Sequence, residues 1–124
     1  QTYGDLINDY HLLGAYIYTP FFVDQSNPGT HSFVQNFRKW YGRNLMETYP
    51  SYGLWGYDTG LFFLTALSRY GSRFEHNIQK IRINSLQFAF HFERVNNWGG
   101  FINNGLFLIH YDTNGSVTQS DLNR

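Results

Sequence analysis

No cysteine occurs in this 124-residue chain, so neither disulfide bonds nor thiolate chemistry are open to it. Charge of one sign is not in excess either. Nine basic residues balance nine acidic ones, without the basic run or stripe that follows nucleic acid or an anionic membrane. No apolar run approaches the roughly 18 residues that a membrane-spanning helix needs, and no stretch reads as a secretory leader. The short catalytic signatures are missing as well: there is no His-Glu-x-x-His, no Gly-x-Ser-x-Gly, no P-loop and no dinucleotide fingerprint. The nine carboxylates are scattered, and no pair has a spacing that demands acid–base roles.

What the chain has in quantity is aromatic side chains, 20% of all residues, more than one small core needs. Its length fits about one domain. The first residue is Gln1 rather than Met, from which we expect the chain to be part of a longer one.

Residues 1–10 are polar and read as a loop or frayed turn. Residues 11–23 are rich in aromatic and β-branched side chains and read as a strand, with pairing broken near Pro20. Residues 24–29 are a turn, after which Thr30 is placed to cap a helix. Phe33, Val34, Phe37, Trp40, Tyr41 and Leu45 then recur at helical spacing, and Gly42 weakens the last turns. Pro50 ends that segment. A second helix starts at Tyr52 or Trp55 and runs to Tyr70, closed by Gly71. It is apolar on most sides, which suits a helix held between layers. Residues 73–83 fit a short helix. Residues 86–95 give the clearest strand pattern, Leu86, Phe88, Phe90 and Phe92 alternating with Gln87, Ala89, His91 and Glu93. Residues 106–111 are a more fully apolar strand, residues 112–115 a tight turn, and residues 116–119 a short return strand.

Three groups of residues stand out chemically. His91 and His110, with Glu93 and Asp112 near them in sequence, would approach a metal site if the two late strands paired about Gly99 and Gly100, but a polar sheet surface explains them as well. Asp58, early in the apolar helix, is either an acid favoured by the helix dipole or a carboxylate facing a cleft. Tyr49, Tyr52, Trp55 and Tyr57 surround glycines ahead of that helix, and Trp98 and Phe101 surround Gly99 and Gly100. Such loops suit stacking on a ligand, since rings give large contact area with few rotamers to freeze, and they equally suit a core.

The order of these pieces resembles a known family. Gly14-Ala-Tyr-Ile-Tyr-Thr-Pro20 is followed by Phe33-Val-Gln-Asn-Phe-Arg-Lys-Trp-Tyr41 and a Tyr-Pro loop. Then Gly56-Tyr57-Asp58-Thr59-Gly60 opens an apolar helix that ends Ala66-Leu-Ser-Arg-Tyr-Gly71, and Tyr111-Asp-Thr-Asn-Gly-Ser-Val117 closes the set. Across residues 12–118 this is similar to the last third of type I periplasmic binding proteins, the branched-chain amino acid receptor group that serves ABC importers. The aromatic style is similar to that of envelope proteins of Bacteroidetes-type bacteria.

The resemblance implies an α/β chain that is a fragment of a two-lobed fold: one strand, two long helices, a short helix and a strand hairpin, all in a single partial domain, residues 1–124. It implies a periplasmic or cell-envelope location and a non-catalytic role without cofactor or metal. The ligand would be a small polar solute such as an amino acid, held between the lobes, and a membrane permease would be the partner. It places Tyr52 and its neighbour Ser51 on the cleft, and we add Trp55 and Trp98 as ligand-facing aromatics. The alternative on the same fold is a non-transport scaffold or a cell-wall-associated regulatory protein. The apolar excess of the 55–70 helix leads us to expect a homo-oligomer.

Overall fold

The computed structural model describes residues 3–123. Helix α1 (Tyr3–Leu13) leads into strand β1 (Tyr16–Thr19), helix α2 (Pro28–Tyr41) and helix α3 (Tyr52–Tyr70). A 3-10 helix (Gly71–Lys80) follows, then strands β2 (Phe92–Arg94), β3 (Phe101–Asn103), β4 (Phe107–Tyr111) and β5 (Val117–Asp121). Helices and antiparallel sheets are therefore mixed in one chain. A three-stranded sheet has the order β1-β4-β5, and β2 and β3 form a separate two-stranded hairpin.

α1 is a helix where a loop was expected. Asp5 lies in its first turn, where the helix dipole favours an acid. Its anchor is tertiary: Tyr10 and His11 both pack on Tyr111, with ring centroids 5.4 and 5.2 Å away. His11 Nδ1 donates to the carbonyl of Asp112 at 2.8 Å, tying the helix end to the turn after β4. This contact shortens the expected 11–23 strand, because residues 11–13 finish the helix and only Tyr16–Thr19 join the sheet.

α2 begins earlier than Thr30. Asn27 is the cap, its side chain accepting the Gly29 N–H at 2.8 Å, and Pro28 takes the first helical position, where no N–H is needed. Gly42 does more than weaken the helix: with φ +65° it is the left-handed residue that ends it. α3 takes the earlier of its two expected starts, Tyr52, and ends at Tyr70 as expected.

The core falls into two clusters. In one, Phe62 and Ala66 of α3 meet Ile78, Ile81 and Ile83, with Phe90 and Phe92 against them. Phe62 stacks on Phe90 at 4.8 Å, a pair worth about 0.5–1.5 kcal/mol beyond its buried area. In the other, Phe107, Ile109 and Tyr111 of β4 pack with Ala89, Ile17, Phe22, Ile7 and Tyr10. The segment 86–90 is the seam, since Ala89 belongs to the second cluster and Phe90 packs on the first.

That seam is not the regular strand its alternation predicts. Gln87 and Ala89, on the expected polar face, are buried along with Leu86. Pairing there reduces to a bridge between Phe21 and Phe88, flanked by Phe22 N–H to Gln87 O at 2.8 Å and Ala89 N–H to Pro20 O at 3.0 Å. The backbone of Gly105 lies so close that an added Cβ would sit 2.6 Å from the Ala89 carbonyl oxygen. Among the described residues no helix is long and apolar enough to cross a membrane.

Candidate functional site

The loop before α3 is held by two buried side chains. Asp58, in the second turn of α3, is 0% exposed. Its Oδ1 accepts the Leu86 N–H at 2.7 Å, and its Oδ2 accepts those of Gln87 and Phe88 at 2.7 and 2.9 Å. Burial pushes its carboxyl above the usual range, while the three backbone N–H groups pull the other way. Asp58 therefore does not face a cleft and is not a first-turn dipole acid. It is the partner that a neighbouring strand would otherwise have supplied to residues 86–88.

Gln87 turns its side chain to the loop. Its Oε1 accepts the Ser51 N–H at 2.9 Å and its Nε2 donates to the Ser51 carbonyl at 3.0 Å. Ser51 stands at the N-cap of α3, but its hydroxyl makes no capping bond there. Clamped through both backbone groups, Ser51 is the fixed point of the loop, preceded by a cis Tyr49–Pro50 peptide.

Beside this clamp is a cavity of about 440 Å³. Its walls come from α1 (Ile7), the stretch after β1 (Phe22, Val23, Gln25), α2 (Thr30, Val34), the loop and start of α3 (Leu45, Thr48, Tyr49, Ser51, Leu54), Gln87, and the sheet (Tyr111, Val117). The size suits a small organic ligand, and the walls are largely apolar with a few convergent polar groups. None of the lining residues is Asp, Glu, Lys, Arg or His. Thr30, 3% exposed, contributes to the wall, and its hydroxyl is buried without a hydrogen-bond partner.

The four expected ligand contacts are not gathered in one place. Ser51 lines the cavity. Tyr52, one residue on, points to the other side of the loop, 62% exposed, over a second basin of about 440 Å³ shared with Phe37, Arg43, Asn44, Leu45 and Met46. Trp55 lies between Tyr52 and Phe88, with ring centroids 6.4 and 5.4 Å away, and keeps half its surface in solvent. Trp98 is at the tip of the β2–β3 hairpin, 97% exposed, and shares no wall with Ser51.

The histidines also part company. His110 lies in β4 opposite Tyr16 and Thr118, whereas His91 lies beside the β2–β3 hairpin and pairs with Glu93 at 3.0 Å. The late strands do not pair with each other as a metal site would have required. β4 pairs with β1 and β5, and among the described residues no three His, Asp or Glu side chains converge.

Thr30 and Gln87 escaped the sequence reading. Thr30 looked like a cap, and Gln87 sat on the polar side of an alternating pattern. Nothing local marks either as part of a cavity wall, because both roles depend on segments far along the chain. No family model, curated protein or solved structure matches the chain.

Proposed function

We propose that this chain supplies the ligand-binding part of a solute receptor of the bacterial cell envelope, the binding component of an ABC-type importer, and that it binds without doing chemistry. In this reading its helices and sheets are the C-terminal fragment of a two-lobed type I periplasmic fold, and a permease is the downstream partner. The observation that carries the proposal is the cavity beside Ser51, at the loop that faces the ligand in the family the sequence resembles. Gln87 fixes that loop through both Ser51 backbone groups, so the wall is preorganised rather than assembled on binding.

The test is a ligand screen on the purified chain by thermal shift, covering amino acids, sugars, nucleosides and neutral alcohols. Val117→Trp serves as the plugged control, because Val117 lines the cavity from an exposed strand where a large ring is tolerated. At least one compound should raise the melting temperature of the wild type and not of the plugged variant. A screen in which no compound does so overturns the receptor reading.

One surface favours the scaffold alternative. Tyr16 and His110 stack on the outer face of the sheet, with centroids 4.1 Å apart and planes 2° from parallel, and Tyr18 is exposed one row further along. A flat aromatic face of this kind suits a glycan strand. Co-sedimentation with peptidoglycan sacculi that is lost in Tyr18→Ala would select the scaffold reading over the receptor.

A further inference from the structure

We infer that the cavity beside Ser51 takes a neutral, largely apolar small molecule carrying one hydrogen-bonding oxygen, and that the Thr30 hydroxyl is its polar anchor. The inference rests on the receptor reading above and narrows its ligand away from a zwitterionic amino acid.

Charge decides the class. An ammonium or carboxylate moved into an apolar wall needs an opposite charge or a full set of hydrogen bonds. No lining residue carries a charge, and the side-chain amide of Gln87 is already engaged on Ser51 at both ends. An amino acid would bring two charges and meet no opposite charge in the wall. The basin under Tyr52, with Arg43 in its wall, is the place that accommodates a carboxylate, and it opens on the other side of the loop.

Thr30 decides the anchor. A buried hydroxyl left unpaired is destabilising, and Thr in a helix ordinarily avoids this by reaching the carbonyl one turn back. Thr30 lies in the first turn of α2 and makes no such bond. A helical Thr populates two χ1 wells, so a turn of about 120° exchanges its methyl and hydroxyl groups. Turned toward the cavity that Thr30 lines, the hydroxyl would meet a ligand oxygen there. A ligand oxygen at that wall would give the Thr30 hydroxyl the partner that no protein group supplies.

The experiment titrates benzyl alcohol, its hydroxyl-free analogue toluene, and leucine into the wild type, Thr30→Val, Thr30→Ser and Val117→Trp, followed by ligand-observed NMR. Val keeps the shape of Thr and removes the unpaired hydroxyl, so Thr30→Val should fold and melt no lower than the wild type. Benzyl alcohol should bind the wild type and Thr30→Ser about ten-fold more tightly than Thr30→Val, the scale of one net hydrogen bond. Toluene should bind the wild type and Thr30→Val equally, leucine at least about ten-fold more weakly than benzyl alcohol, and Val117→Trp should bind neither neutral probe. Unchanged benzyl alcohol affinity in Thr30→Val, with toluene still bound, overturns the anchor and leaves the receptor reading standing. Leucine binding tightest, and lost in Val117→Trp, overturns the neutral class and again leaves the receptor standing. If neither neutral probe binds the wild type, the inference fails, and the receptor reading is then judged by the wider screen.

Discussion

Replacing Asp58 tests how the two core clusters are joined. Its carboxylate is the partner of three consecutive backbone N–H groups at 2.7–2.9 Å, all in the seam between the clusters. In Asp58→Ala those three donors lose their acceptor inside the protein. At about 1–3 kcal/mol for each stranded group, with water relieving part of it, a loss of about 3–5 kcal/mol is expected. Set against about 5–15 kcal/mol for a whole domain, that leaves a marginal fold. Asp58→Asn is the finer probe. By turning its amide nitrogen toward Leu86 and its oxygen toward Gln87 and Phe88, Asn keeps two of the three acceptor contacts, and about 2 kcal/mol should go. Guanidinium denaturation followed by circular dichroism measures both variants. An Asp58→Asn protein as stable as the wild type would refute the reasoning, because it would mean that the third acceptor contact contributes nothing. The pH dependence carries a sign. Burial raises the folded-state pKa of Asp58 above its unfolded value near 3.8, so the stability linked to that shift is complete below 3.8 and is lost as pH rises through the folded pKa. The stability gap between the wild type and Asp58→Asn should widen on acidification from neutral pH. A gap that narrows would show that the backbone donors outweigh burial.

Gln87→Leu should cost about 2 kcal/mol by leaving both Ser51 backbone groups without their side-chain partner, and limited proteolysis should then cut the 48–51 loop faster than in the wild type. Two glycine substitutions should act in opposite directions in thermal melts. Gly105→Ala drives a Cβ to 2.6 Å from the Ala89 carbonyl and should lose about 1–3 kcal/mol, whereas Gly60→Ala, inside α3 with open space around it, should gain up to about 1 kcal/mol. The expected self-association has a surface to act through, since Leu64 is 68% exposed on α3 with Leu67 and Tyr57 exposed along the same side. Light scattering should report a dimer or larger species that Leu64→Lys converts to monomer, and a wild type that stays monomeric at high concentration would end this expectation.

Legibility in this sequence followed the range of the interaction responsible. α3 was readable, its end at Tyr70 and its start to within one turn, because its signals are local: a proline before it, an unbroken apolar pattern, and Gly71 after it. α1 was not, because its few apolar residues are persuasive only against Tyr111, about a hundred positions away. The 86–95 stretch misled for a more instructive reason. Its alternation is genuine, yet regular pairing needs donors free to ladder, and the N–H groups of residues 86–88 are committed to a carboxylate 28 to 30 positions earlier. With those donors fixed to α3, the segment turns Gln87 inward as well as Leu86, and Gln87 is then in position to clamp Ser51. The cavity wall is thus a consequence of Asp58, a residue that does not line it. The resemblance led to Ser51 through the loop it occupies, but Thr30 had no sequence signal of its own, because an unpaired hydroxyl is defined by what fails to reach it. The most informative substitutions are therefore at Asp58, Gln87 and Thr30 rather than at the exposed rings: the first two set the shape of the wall, and the third leaves it with an unmet bond.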